Sequence, residues 1–267
     1  MRYIIKLHER LLDVEDTRPR TELKSFQFNE KQTQRRQKVQ GLSSKSRYRL
    51  IQFLATIGRD DPGFFVTLTY WRFTDDWAQW KRDLDAFIKS LRRFADGVCG
   101  VWRLEFQERG APHYHLLLWF DEPVDRGSLD AHCREAWLRI IDQDAPETRA
   151  YAVTVDPIMD MRSSAFYLSI YQAKDKNDRK DIQTGRLWGC LGRERLQTEP
   201  FREVEMDERQ MLHLRRFVRR LYRNTHRRTF RRSSYYKWLQ VDGGSFKSFG
   251  PLPHWYRILE YITKSYQ

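Results

Sequence analysis

The feature that most limits how this chain can fold is a stripe of large apolar residues, Trp77, Trp80, Leu84, Phe87, Ile88, Leu91 and Phe94, recurring at helical spacing behind Thr74, Asp75 or Asp76, any of which can cap the helix. A helix face this apolar needs a sheet to cover, and strand-forming runs flank it on both sides. FFVTLTY, residues 64–70, is β-branched and aromatic and predicts a strand with Thr67 and Thr69 on one face. Residues 98–107 and 113–120 predict two further strands joined through Arg109-Gly110-Ala111. Residues 129–141 follow as a helix with Ser128 as its cap, and residues 151–155 alternate as a strand before Pro157. The order βαββαβ predicts an α+β fold with a ferredoxin-like antiparallel sheet, helices on one face, and the first and third strands side by side. The other face is then available for a site.

Either side of this core the pattern changes. Residues 1–60 are charged and mixed and read as an N-terminal extension, with one helix beginning at Ser43 or Ser44 and carrying Tyr48, Ile51, Leu54 and Ile57. Asp60-Asp61-Pro62-Gly63 breaks the chain. Residues 61–196 form the central domain, which also takes in a helix over 164–176 and a last strand in GRLWGCLGR. Residues 197–267 read as a basic helical C-terminal region, with an amphipathic helix over 205–225 built on Met211, Leu214, Val218, Leu221 and Tyr222. No GxxxxGK[ST] phosphate loop occurs, which argues against an ATP-driven helicase in this chain.

Charge narrows the function classes. With 49 Lys+Arg against 36 Asp+Glu in 267 residues, the formal net charge of +13 points to a polyanionic partner, nucleic acid ahead of membrane. Ten arginines and no acid fall between Arg209 and Arg232, which favours a surface that tracks phosphates. The tail aromatics Tyr235, Tyr236, Trp238, Trp255 and Tyr256 read first as packing and second as base-stacking groups. Cys99, Cys133 and Cys190 are odd in number and far apart, which argues for a reducing compartment and against a disulfide framework or thiolate zinc site. With no apolar run long enough to span a bilayer and no signal-peptide pattern, the expected location is cytoplasmic.

The residues able to carry chemistry concentrate in EFQERGAPHYH, residues 105–115. His113 and His115, two apart on a strand, point to one face. A hairpin turning about Gly110 would set Glu105 opposite His115 on that face, and two imidazoles with a carboxylate make an open divalent site. Mg2+ or Mn2+ suits it, and zinc fits the ligand types as well. Glu108 is the rival third ligand, of opposite strand parity and nearer the turn. Gln107 shares the face and can orient a ligand or water. An HxH pair alone reads as two surface histidines; the facing carboxylate shifts that balance.

Further along, Tyr167, Tyr171 and Lys174 stand at i, i+4 and i+7 of the predicted 164–176 helix and share one stripe. A phenol is a weak nucleophile near its usual pKa of about 10, but a neighbouring cation favours the phenolate, and Lys174 is placed to supply it. An aromatic stripe packed into a core is the competing reading.

Three motifs in this order resemble the HUH endonucleases, specifically the rolling-circle replication initiators of plasmids and single-stranded DNA phages. FVTLTY (65–70) resembles the first motif, EFQERGAPHYH the metal-binding second, and YLSIYQAK (167–174) the two-tyrosine nucleophile motif. The resemblance covers roughly residues 64–192. It implies nicking and rejoining of single-stranded origin DNA through a 5′-phosphotyrosine. His113, His115 and Glu105 would hold Mg2+ or Mn2+, and Tyr171 and Tyr167 would act as nucleophiles beside Lys174, with Tyr171 preferred for the first cut. The implied partners are single-stranded DNA at a replication origin and a host helicase and polymerase in a prokaryotic cytoplasm, with no membrane. A tyrosine transposase using the same site and a non-enzymatic nucleic-acid-binding module are the two rival readings.

Overall fold

The computed structural model describes residues 2–7, 11–16, 42–57, 62–158, 184–198, 202–225, 246–249 and 252–265. The chain gathers into two units, one of Gln34–Ile51 and Arg59–Gln197, the other of Met1–Thr33, Gln52–Gly58 and Thr198–Gln267. Both are built from antiparallel sheet and peripheral helices, a mixed α+β architecture. In chain order the elements are β1 (Arg2–Leu7), β2 (Leu11–Asp16), α1 (Ser44–Thr56), β3 (Phe64–Thr69), α2 (Trp77–Phe94), β4 (Cys99–Phe106), β5 (Pro112–Trp119) and α3 (Arg126–Ile141). They continue with α4 (Pro146–Tyr151), β6 (Val153–Pro157), β7 (Trp188–Leu191), β8 (Arg202–Asp207), α5 (Glu208–Thr225), β9 (Phe246–Phe249) and α6 (Leu252–Ser265).

The larger unit holds a five-stranded sheet in the order β6-β3-β5-β4-β7. Each neighbouring pair is antiparallel, and the unit's first and third strands, β3 and β5, lie side by side. Strand alternation divides the side chains. Val66, Leu68, Leu104, Tyr114, Leu116 and Leu118 turn into one core with the α2 residues Trp80, Leu84, Phe87 and Leu91 and the α3 residues Leu129, Cys133 and Trp137. A fully buried leucine contributes roughly 1.5–3 kcal/mol through water exclusion, so this face anchors the sheet. Tyr114, between the two histidines, belongs wholly to it: the ring is buried and its hydroxyl donates to the Trp80 carbonyl at 3.0 Å. With that residue locked inward, period-2 alternation turns His113 and His115 to the opposite face.

The caps follow local chemistry. Asp76 accepts from the Ala78 amide at the start of α2, and the Ser43 hydroxyl accepts from the Ser46 amide at the start of α1. Helix α3 begins earlier than residue 129: its cap is Asp125, which accepts from both the amide and the hydroxyl of Ser128. Residues 151–152, read as strand, instead end the short helix α4, and β6 starts at Val153. Of the three cysteines, none is in a disulfide; Cys99 and Cys133 are buried and Cys190 is half-buried.

The smaller unit is a second sheet, β8-β1-β2-β9, all antiparallel. Tyr3, Ile5, Leu7, Leu12, Val14 and Met206 form its buried face beneath Met211, Leu214 and Val218 of α5 and Trp255, Leu259 and Ile262 of α6. Residues 1–60, read as an extension, therefore contribute two strands that pair with β8 and β9 near the other end of the chain. The region from 197 onward is likewise part sheet as well as helix. No helix among the described residues is long and apolar enough to cross a membrane.

Candidate active site

The face of the larger sheet turned away from α2 and α3 carries the polar residues singled out by sequence. On the middle strand β5, His113 and His115 stand with ring centroids 4.5 Å apart and planes at 71°. Across one seam, β3 sets Thr67 opposite His115 and Thr69 opposite His113. Their hydroxyls lie 3.1 Å and 3.0 Å from the respective Nδ1 atoms. Phe65 stacks on the His115 ring at 5.4 Å. Both imidazoles are thus fixed through Nδ1, which leaves Nε2 as the atom available for other chemistry.

Across the other seam, β4 places Glu105 opposite His113 and Arg103 opposite His115. The sequence pattern, with a turn about Gly110, sets Glu105 opposite His115 instead. The difference is two residues, because the hairpin centres on Arg109: the Gln107 backbone accepts from the Gly110 amide and donates to the Ala111 carbonyl, and Gly110 sits at φ +83. A shift of two preserves parity, so Glu105 stays on the histidine face. Its Oε2 lies 3.4 Å from His115 Nε2, diagonally across the seam, and its Oε1 lies 3.5 Å from Arg103 Nε. Glu108 is exposed in the turn. The Gln107 side chain accepts from Arg109 Nε at 3.0 Å, which engages it in closing the hairpin.

Electrostatics set the protonation states. Burial holds the His113 imidazole down to about 3, with His115 and Arg109 acting in the same direction and Glu105 opposing, so the ring is neutral at pH 7. Burial raises the Glu105 carboxyl, but the bond to His115 and the electrostatic pull of His115, Arg103 and His113 outweigh it and leave the group below its ordinary value. A neutral imidazole and an ionised carboxylate are the forms that bind a cation. His115 Nε2 and Glu105 Oε2, 3.4 Å apart, bring two donors of suitable chemistry together. Among the described residues, however, no three His, Cys, Asp or Glu side chains are gathered as a set that could hold a metal. The donor chemistry and one ligand pair fit a divalent ion; the described residues do not close a three-residue cage.

Arg103 is the residue that sequence reasoning missed. It is 3% exposed, pairs across the seam with His115, and sets its Nε 3.5 Å from Glu105 Oε1. Its parity, two before Glu105 on the same strand, was the signal that could have found it. Tyr167, Tyr171 and Lys174, and the predicted 164–176 helix, lie outside the described residues.

Residues 63–176, from the start of β3 past β6, match the family model of replication-associated proteins of the ORF2 type. The chain is 28% identical over 200 residues to a replication-associated protein of Pseudomonas phage Pf3, covering 69% of each. It is 29% identical over 165 residues to a provisionally named replication protein of Xylella fastidiosa strain Temecula1, covering 58% of this chain and 61% of that one. A provisionally named replication protein of strain 9a5c is 27% identical over 168 residues, with 59% and 58% covered. The chain thus spans less than two thirds of either Xylella relative. At low identity and over part of its length, the chain is homologous to replication proteins of the Rep type.

Proposed function

We propose that the chain is a rolling-circle replication initiator of the HUH type, which nicks and rejoins single-stranded DNA at an origin on a ferredoxin-like sheet. The observation that carries this reading is the group on one sheet face: two imidazoles each tied through Nδ1 to a threonine hydroxyl, with the Glu105 carboxylate beside His115 Nε2. Ordinary surface histidines have no need of that orientation. The replication names of the relatives favour initiation over transposition.

In this proposal His113, His115 and Glu105 would hold Mg2+ or Mn2+, which would supply polarisation of the scissile phosphate and offset the charge that develops there. Thr67 and Thr69 keep the imidazoles aimed, and Arg103 adds to the effect of His115 in keeping Glu105 ionised. Tyr171, with Tyr167 available for a second transfer, attacks the phosphorus. The Oη–P bond forms as the P–O3′ bond breaks, the phenol proton leaves for solvent or a nearby base, and the 3′-oxygen departs as a hydroxyl. Lys174 favours the phenolate or contacts phosphate. The new linkage conserves the phosphodiester's energy, so rejoining is the reverse step and needs no ATP. A host helicase and polymerase would extend the free 3′-OH.

The test is incubation with labelled single-stranded origin DNA and Mn2+, followed by denaturing electrophoresis. A covalent protein–DNA band that disappears in Tyr167→Phe/Tyr171→Phe and in His113→Ala supports the proposal. Binding that survives chelation, with no adduct under any metal, would instead identify a non-enzymatic nucleic-acid module.

A further inference from the structure

Helices α5 and α6 pack side by side over the smaller unit's sheet and leave between them a groove of about 580 Å3. Its floor is apolar: Ile262 is buried, and Phe217 and Ile258 are half-buried against the core beneath. Its rim is cationic. Arg216 and Arg220, one helical turn apart on α5, face Arg257 of α6, and all three are exposed. His213 extends the same α5 stripe, and Tyr261, 65% exposed, stands at the groove's edge. The described lining includes no carboxylate. The arginine run marks α5 as a phosphate-tracking surface from sequence; the contribution of α6, and the apolar floor, emerge only from the fold.

We infer that this groove is a second binding site for single-stranded DNA, separate from the histidine face, with phosphates on the three guanidiniums and unpaired bases against Tyr261 and the apolar floor. Guanidinium forks match phosphate oxygens in geometry as well as charge. Phosphate affinity alone would need only a charged surface. An aromatic ring beside Ile258 and Ile262 is a platform for bases, which a duplex keeps inside and a single strand exposes. The inference rests on the proposal that the chain handles single-stranded DNA and adds a holding site to the cutting site.

The test uses the full chain and fluorescein-labelled oligothymidylate in EDTA, so that binding is read without cleavage. Arg216→Ala/Arg220→Ala/Arg257→Ala should weaken binding at least about tenfold and flatten the salt dependence by about 2 in log–log slope, the value for three single-strand phosphate contacts. The triple Arg→Lys variant should restore most of the slope, and Tyr261→Leu should cost roughly tenfold with the slope unchanged. These positions are exposed, and circular dichroism of each variant verifies the fold. Unchanged affinity and slope in the triple alanine variant would overturn the inference. So would an equal loss for duplex DNA of the same length, or stronger displacement by polyglutamate than by unlabelled oligothymidylate. Adduct formation on a short oligonucleotide with Mn2+ is followed in parallel. If no adduct forms but the groove variants lose binding, the nuclease proposal fails and the groove stands; if adduct forms and the groove variants bind as the parent does, the nuclease stands and the groove fails.

Discussion

Thr67 Oγ1 lies 3.1 Å from His115 Nδ1, and the pairing serves either tautomer of the ring. A hydroxyl both donates and accepts. When Nδ1 accepts from Thr67, Nε2 carries the proton and can donate toward Glu105 Oε2, 3.4 Å away. When Nδ1 donates, Nε2 presents a bare lone pair, the form a metal requires. The imidazole can thus exchange a carboxylate partner for an ion without losing its orientation, and Thr69 offers His113 the same choice of tautomer.

Removing that support tests it. Thr67→Val keeps the β-branched shape and loses the hydroxyl. It should raise the Mn2+ concentration needed for half-maximal adduct formation about 10–100-fold, and Thr67→Ser should restore it. A Thr67→Val/Thr69→Val double variant with the parent's Mn2+ dependence would reduce both threonines to sheet filling.

A second prediction concerns acid stability. The His113 imidazole is held near 3 in the fold against 6.5 for its ordinary value, burial being the main cause. Between those values the unfolded chain binds a proton that the folded chain does not, so stability is intact above about pH 6.5 and falls as the pH drops toward 3. The slope for one such group is about 1.4 kcal/mol per pH unit. Glu105, whose folded value is lowered, adds a loss in the same direction, but only below its unfolded value near 4.3. Urea unfolding in EDTA at about pH 6.5 and 5.5, above the range where Glu105 titrates, therefore separates them. His113→Asn should lose less stability over that interval than the parent does, and equal losses would mean the ring is not held neutral.

The histidine face was legible because it depends on parity alone. Thr67, Thr69, Glu105, His113 and His115 fall on one side of three strands whichever even register the hairpin takes, so a two-residue error in pairing left the grouping intact. Arg103 shared that parity and was overlooked because an arginine in a strand reads as solvated, whereas here it is buried against Glu105. The smaller unit was hidden for a different reason. β1 finds β8 about 200 residues later, and β8, Arg202–Asp207, is so acidic that only Val204 and Met206 betray its inward face. Local pattern cannot anticipate a pairing between segments that distant.

Close packing across the histidine hairpin yields a third prediction. Gly100 on β4 pairs with Leu118, and a Cβ there would meet the Leu117 carbonyl oxygen at 2.1 Å. That neighbour is backbone within the sheet and cannot rotate aside. Gly100→Ala should therefore cost about 1–3 kcal/mol or more in urea unfolding. Because relief must come from displacing β4 against β5, the His115–Glu105 spacing should suffer with it, and Mn2+-dependent adduct formation should fall even where the variant is folded. Full stability in Gly100→Ala would mean the strands are farther apart than described.

The last prediction separates an electrostatic role for Arg103 from a packing role. Its guanidinium Nε is 3.5 Å from Glu105 Oε1 and is among the charges that keep the carboxyl below its ordinary value against the upward push of burial. The His115 bond remains in its absence, so removing the cation should raise the pH at which Glu105 takes up a proton without abolishing the downward pull. If an ionised Glu105 is needed for adduct formation, the acid limb of the rate–pH profile should move upward in Arg103→Met and lie between variant and parent in Arg103→Lys. Loss of one partner from a buried charge pair also destabilises, by roughly 3–5 kcal/mol, so rates are compared at a temperature where all three proteins are folded. A packing role alone would lower the rate by one factor at every pH and leave the limb where it was. Parallel profiles for Arg103→Met and the parent would therefore detach Arg103 from the chemistry of Glu105.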